Sequence, residues 1–212
     1  ARGNYVRIGG LEVARVGDDD RMLELKRKVG QGKAYGTRAS LISAAETKEK
    51  FPLVDESAIQ GALWDPDAGL VVPRSQKVAG DLIDEAVASG ALKAFPYTPA
   101  TKIDVRDGKV CGVETRRGYI ATDKVVLSVG IWGPLIADQV SSPLPLTPVE
   151  HPLMFFGPYQ ALDGTGVEIV YPLFRDQGNS GYIRDTGDPT TTEGGRIEWG
   201  YYETEEPRLV HP

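Results

Sequence analysis

Two residues have the clearest capacity for chemistry. His151 stands in Pro145-Leu146-Thr147-Pro148-Val149-Glu150-His151, and Tyr182 stands in Gly181-Tyr182-Ile183-Arg184. An imidazole titrates near neutrality and can take up or release a proton. A phenol joins an apolar ring to a polar tip. On pattern alone, a hydrogen-bonded structural histidine and a sheet aromatic are the leading readings of these two residues. Acid–base work or substrate contact is the other.

Other chemistries are poorly supported. Cys111 is the lone cysteine and His211 the only other histidine, so a His/Cys zinc cluster cannot be assembled and no metal site is expected. Cys111 lies in a strand-like run and is expected to be an inert buried thiol. Asp18-Asp19-Asp20 lacks the spacing of a calcium loop. Gly30-Gln31-Gly32-Lys33 fails both phosphate fingerprints, because a helix precedes it and neither glycine spacing fits. It reads as a helix stop. Ser43, Ser75, Ser89 and Ser128 lack a nucleophile-elbow context.

Composition narrows the class. Twenty-four Lys and Arg against 30 Asp and Glu give a net charge of −6 over 212 residues, and no basic run is present. Nucleic acid is therefore an unlikely partner. Apolar runs fall far short of the ~18 residues a membrane helix needs, so no membrane partner is expected either, and the chain reads as cytoplasmic.

The elements that must position these residues follow from periodicity. Uneven alternation over 5–16, broken at Gly9-Gly10, predicts two short strands or a bent one. Met22, Leu25 and Val29 predict a helix near 20–29. Ser43 and Glu46 form a capping box for a helix ending near Lys50, ahead of Pro52. Asp65 to Gly69 has a turn composition, and 74–89 is the best amphipathic helix. A β-meander follows, with strands near 102–105, 110–113 and 119–120 and turns at Asp107-Gly108 and Arg117-Gly118. Lys124 to Gly130 is an apolar run of the kind found in a strand covered on both faces. A short helix is expected over 131–140. Strands are expected at 149–156, 167–171, 181–184 and 196–202. The fold class is α+β, or mixed α/β.

Several stretches together resemble a known family. They are Gly10-Leu11-Glu12-Val13-Ala14, Leu41-Ile42-Ser43-Ala44-Ala45-Glu46 with Pro52-Leu53-Val54, Asp107 to Thr115, Gly118 to Val126, Val129-Gly130-Ile131-Trp132, and Pro145 to His151. In this order and spacing they resemble the FAD-dependent amine oxidoreductases of the D-amino-acid oxidase superfamily, and within it the dimethylglycine and sarcosine dehydrogenase/oxidase branch.

The resemblance implies a substrate-side antiparallel sheet with flanking helices (1–72 and 143–212) and an incomplete FAD-binding portion (73–142). It implies that the backbone of Lys102 and Ile103 lies at the adenine of FAD. Ser128, Val129, Gly130 and Trp132 would lie at the flavin edge, with Trp132 packed beneath it. His151 and Tyr182 match the pair that lines the substrate side of the flavin. The implied reaction is oxidation of an N-methylated amino acid, with hydride passing to the flavin and an iminium left on the substrate. A tetrahydrofolate-binding module outside this chain would capture the one-carbon unit. The Gly-x-Gly-x-x-Gly unit of the family is not in this sequence, so the chain reads as an internal piece that is inactive alone. The rival reading is a binding or interaction module that keeps the substrate-side scaffold without the redox centre.

Overall fold

The computed structural model describes residues 5–72, 75–162, 169–187 and 195–211. The elements are β1 (Tyr5–Arg7), β2 (Gly10–Arg15), α1 (Asp19–Ala34), β3 (Ser40–Ser43), α2 (Ala44–Lys50), β4 (Ile59–Asp65), β5 (Gly69–Val71), α3 (Ser75–Ala88), β6 (Ala100–Arg106), β7 (Lys109–Thr115) and β8 (Gly118–Ala121). They continue as α4 (Gly133–Asp138), β9 (Val149–Glu150), β10 (Leu153–Phe156), β11 (Leu173–Asp176), β12 (Gly181–Thr186), β13 (Arg196–Tyr201) and β14 (Arg208–Leu209). The mixed α and β content agrees with the class read from the sequence.

The chain divides into two units, residues 1–84 with 151–206, and residues 85–150 with 207–212. The first holds a seven-stranded sheet in the order β10-β13-β12-β11-β2-β4-β3. β11 and β2 run parallel, and the other neighbours run antiparallel. Alternation sends Leu11, Val13, Ala62 and Phe174 to one face, where they pack with Phe51 and Ile59. The Phe51 and Phe174 rings lie 4.9 Å apart. α1 buries Leu25 and Val29, and Lys28 reaches Glu12 of β2 at 2.6 Å.

Local signals account for the helix starts. The Asp18 carboxylate accepts from the Arg21 amide at 3.0 Å. Ser43 and Glu46 form both arms of the expected capping box, and α2 ends just before Phe51-Pro52. The expected stop at Gly30 is corrected, because α1 continues to Ala34. An interior glycine costs a helix only about 1 kcal/mol, less than burial of an apolar stripe returns. The chain turns at Gly36, whose φ is +75°. The expected helix over 74–89 is α3, with Arg74 outside the described residues.

The second unit holds the meander β6-β7-β8 and the β9–β14 pair. Asp107 and Gly108 both take positive φ, as a tight two-residue hairpin turn requires. The second turn falls one residue earlier than expected, at Arg116-Arg117, because Thr115 pairs with Gly118. Cys111 is half-buried rather than buried.

Three strand expectations are corrected. Lys124 to Val129 is irregular, leading into a single 3-10 turn at Gly130–Trp132. A strand covered on both faces needs partners on each edge, and no described strand pairs with this run; Val126 is 87% exposed. The expected strand 149–156 is broken at His151-Pro152 into β9 and β10, since proline gives no ladder hydrogen bond. The strand expected at 167–171 lies at Leu173–Asp176 instead, while 167 and 168 fall outside the described residues. Here Asp185, only 2% exposed, takes the Val170 and Tyr171 amides at 2.7 and 2.9 Å and holds that segment as a turn.

Candidate functional site

Strand register builds the site. Tyr182 of β12 stands opposite Gly200 of β13 and Arg175 of β11. Arg184 stands opposite Glu198. Residues two apart share a face, so Tyr182, Arg184, Glu198, Arg175 and Leu173 point the same way. They line a cavity of about 630 Å³ together with Leu70, Gln177, Ser180 and Tyr202. That volume suits a small organic ligand.

Gly200 makes the Tyr182 position possible. A Cβ on Gly200 would overlap the Tyr182 ring, so the missing side chain lets the phenol lie across the neighbouring strand. Tyr202 extends the aromatic wall. Its ring centroid is 5.8 Å from that of Tyr182 and 4.8 Å from that of His151, the latter edge-on at 73°. His151 is exposed, in the break between β9 and β10. The two residues singled out in the sequence are thus joined through Tyr202, which the sequence reading did not single out. Its only sequence signal is the aromatic run Trp199-Gly200-Tyr201-Tyr202, which does not say which ring faces the cavity.

The electrostatics favour a neutral, hydrogen-bonding Tyr182. Burial pushes its hydroxyl above the ordinary phenol pKa, helped by the adjacent Tyr202 and Glu198. Arg184 and Glu198 form a close pair, with Nε and Nη2 at 2.8 and 2.6 Å from Oε2, both side chains largely buried. This pair leaves little net charge beside Tyr182. An arrangement of two phenols, an edge-on imidazole and a compensated ion pair can orient a small polar molecule and accept or hold a proton.

The remaining candidates lie in the second unit. Lys102 and Ile103 sit in β6, opposite Glu114 and Val113 of β7. Ile103 is buried, and Lys102 reaches Glu114 at 3.4 Å. Ser128 and Val129 lie in the irregular run, and Gly130 takes φ +57° with open space where a side chain would be. Trp132 closes the 3-10 turn that follows this run and is 56% exposed.

The comparison with known proteins identifies the scaffold. Residues 2–210 match the family described as FAD dependent oxidoreductase, DAO. The chain belongs to this family. Its members are FAD-dependent, and the resemblance read from the sequence is borne out. The chain is 30% identical over 195 residues to the mitochondrial sarcosine dehydrogenase of Mus musculus, covering 90% of this chain and 20% of that protein. It is 26% identical over 190 residues to the mitochondrial dimethylglycine dehydrogenase of Homo sapiens, covering 90% of this chain and 21% of that protein. The chain therefore spans about a fifth of the length of these relatives. Among solved structures, L-proline dehydrogenase from P. horikoshii matches with a TM-score of 0.72 and 26% identity, over 92% of this chain and 48% of that one.

The described DAO residues fit FAD only in part. The open backbone at 128–130 can be approached closely by a flat ring. A diphosphate needs an uncrowded helix N-terminus. α1 begins with Asp18, Asp19 and Asp20, and the start of α2 is filled by Glu46. Neither welcomes an anion, so the diphosphate grip is not among these helix starts.

Proposed function

We propose that these residues form the substrate side of an FAD-dependent oxidoreductase acting on an N-methylated amino acid of the sarcosine or dimethylglycine kind. The observation that carries the reading is the His151–Tyr202–Tyr182 run, whose two tyrosines line the cavity, in a chain similar to two dehydrogenases of such substrates. When bound, FAD supplies the hydride acceptor. The chain's own part is to bind the amine, hold it neutral and keep it in place.

An ammonium nitrogen withholds the electron density that hydride loss from its neighbouring carbon requires. The His151 imidazole can take that proton. The Tyr182 oxygen can then accept the remaining N–H of a neutral secondary amine such as sarcosine; neutral dimethylglycine has no N–H to give, and Tyr182 meets it as part of the aromatic wall. Cofactor contact is assigned to Lys102 and Ile103 through backbone at the adenine, and to Ser128, Val129, Gly130 and Trp132 at the flavin. In this reading 1–72 and 143–212 bind substrate, and 73–142 contribute to FAD binding.

Mixing the purified protein with FAD under anaerobic conditions and adding sarcosine or dimethylglycine tests this. Loss of the visible flavin absorbance is expected with these amines, and not with D-alanine or glycerol 3-phosphate. The His151→Ala variant should slow the loss. Reduction by D-alanine alone would move the substrate class. A folded protein that takes up no flavin would favour the rival, a binding module without redox chemistry.

A further inference from the structure

The sheet face that carries Leu11, Val13, Ala62 and Phe174 is covered unevenly. α2, with Phe51 just after it, packs on the β4 and β3 end. Toward β12 and β13 the same face keeps a cavity of about 330 Å³, wholly within the first unit. Strand alternation sets it behind the Tyr182 cavity, on the opposite side of the sheet. Val13, Ile59, Phe174, Ile183 and Trp199 give it apolar walls, and Arg15, Asp55, Asp176 and Asn179 bring polar groups to it.

Asp176 is the decisive residue. Its Oδ2 takes Arg15 Nε at 2.8 Å, Arg15 Nη2 at 2.7 Å and Asn179 Nδ2 at 2.9 Å. Its Oδ1 is buried and has no partner among the described residues. A buried acceptor without a donor is costly, so a donor brought by a ligand is favoured there. Charge points the same way. Arg15 offsets one of the two carboxylates, and Asp55 leaves the lining net negative.

We infer that this second cavity binds a small organic cation, an apolar body ending in a primary ammonium whose N–H groups satisfy Asp176 Oδ1. Such a bond is charge-assisted and stronger than a neutral one. Trp199 and Tyr201 add aromatic surface, which attracts a cation. A free amino acid is disfavoured, because its carboxylate would meet Asp55 and Asp176. The site is separate from the substrate cavity and does not rest on the amine-oxidising reading above.

Nuclear magnetic resonance titration of the ¹⁵N-labelled chain with phenethylamine, an ammonium at pH 7, tests this. The chain has three tryptophans, and Trp199→Phe assigns the Trp199 indole N–H signal. That signal should shift and saturate, while those of Trp64 and Trp132 stay in place. 3-Phenylpropanoate, a similar body ending in a carboxylate, should bind at least about tenfold more weakly. Asp176→Asn should weaken phenethylamine about tenfold, the size of a lost charge-assisted contact. Val54→Trp, which fills the cavity and keeps every charge, should weaken it by a similar factor. A Trp199 signal that does not move in about 10 mM phenethylamine overturns the inference. Equal affinity for the anion, or binding within about twofold of the parent in either variant, also overturns it. If Asp176→Asn loses the native circular-dichroism spectrum, the ligand pair and Val54→Trp decide, since both leave Asp176 in place.

Discussion

The two units treat their apolar residues differently. In the first, Leu11, Val13, Ala62 and Phe174 are sealed between a sheet face and Phe51. In the second, Val126 and Leu127 stand in an irregular run, Val126 almost fully exposed. α3, which carries the chain from one unit to the next, has no buried residue, and Leu82, Ile83 and Val87 are all exposed. The cavity with Tyr182 and Tyr202, the latter touched by His151, belongs to the unit whose core is complete. The side chains at this site are therefore held by a packed sheet, whereas the cofactor candidates at 128–132 lie on backbone with little to hold it.

The largest expected effect separates the two cores. Phe174→Ala removes a buried ring stacked near Phe51 and should cost about 3–5 kcal/mol, a large share of a domain's stability. Val126→Ala removes an exposed methyl pair and should stay within about 0.5 kcal/mol. Urea denaturation of both variants checks this. Equal losses would mean that the 124–130 run is packed in solution and would erase the contrast.

A smaller effect contrasts two glycines. At Gly200 the obstacle is space, since the Tyr182 ring occupies the position of a Cβ. Gly200→Ala should push that ring off its strand, cost about 1–3 kcal/mol, and weaken sarcosine binding at the same time. At Gly130 the space is open, and the obstacle is φ of +57°. Gly130→Ala should cost about 1 kcal/mol through backbone strain and leave sarcosine binding unchanged. Thermal melts with ligand titrations on both variants separate the two causes.

How much of this was legible in the sequence depended on how local the cause is. The Ser43–Glu46 box and the Asp107-Gly108 turn were readable because both partners lie within four residues. Tyr182 was singled out through a family resemblance, and the fold places it at the cavity. Tyr202 and Gly200 were not, because their meaning comes from the β12–β13 register, and the segment between those strands gives no periodic signal of which residues face each other. The strand expected over Lys124 to Gly130 was misread for a related reason. An apolar run specifies a strand only where neighbours exist to pair with it, and the run does not encode its neighbours. The continuation of α1 through Gly30 depended on burial of Leu25 and Val29 against the sheet, which outweighs a local preference.

The smallest expected effect concerns Asp185 and sharpens the picture of the complete core. Burial raises its carboxyl above the ordinary aspartate range, and the two amide hydrogen bonds only partly offset this. A carboxyl whose folded pKa lies above its unfolded value contributes its stability fully below the unfolded pKa. That contribution is lost as pH rises through the folded pKa. The window thus opens near pH 4, the ordinary aspartate value, and extends upward. Asp185→Asn removes the titration and supplies one carbonyl oxygen for two amides, so the variant should be less stable at every pH. Its deficit relative to the parent should be largest near pH 4 and narrow as pH rises. Urea midpoints of parent and variant between about pH 4 and 8 measure this. A deficit that grows with pH would mean the charged carboxylate is the favoured form in the fold, and that the amides of Val170 and Tyr171 outweigh the cost of burying the charge.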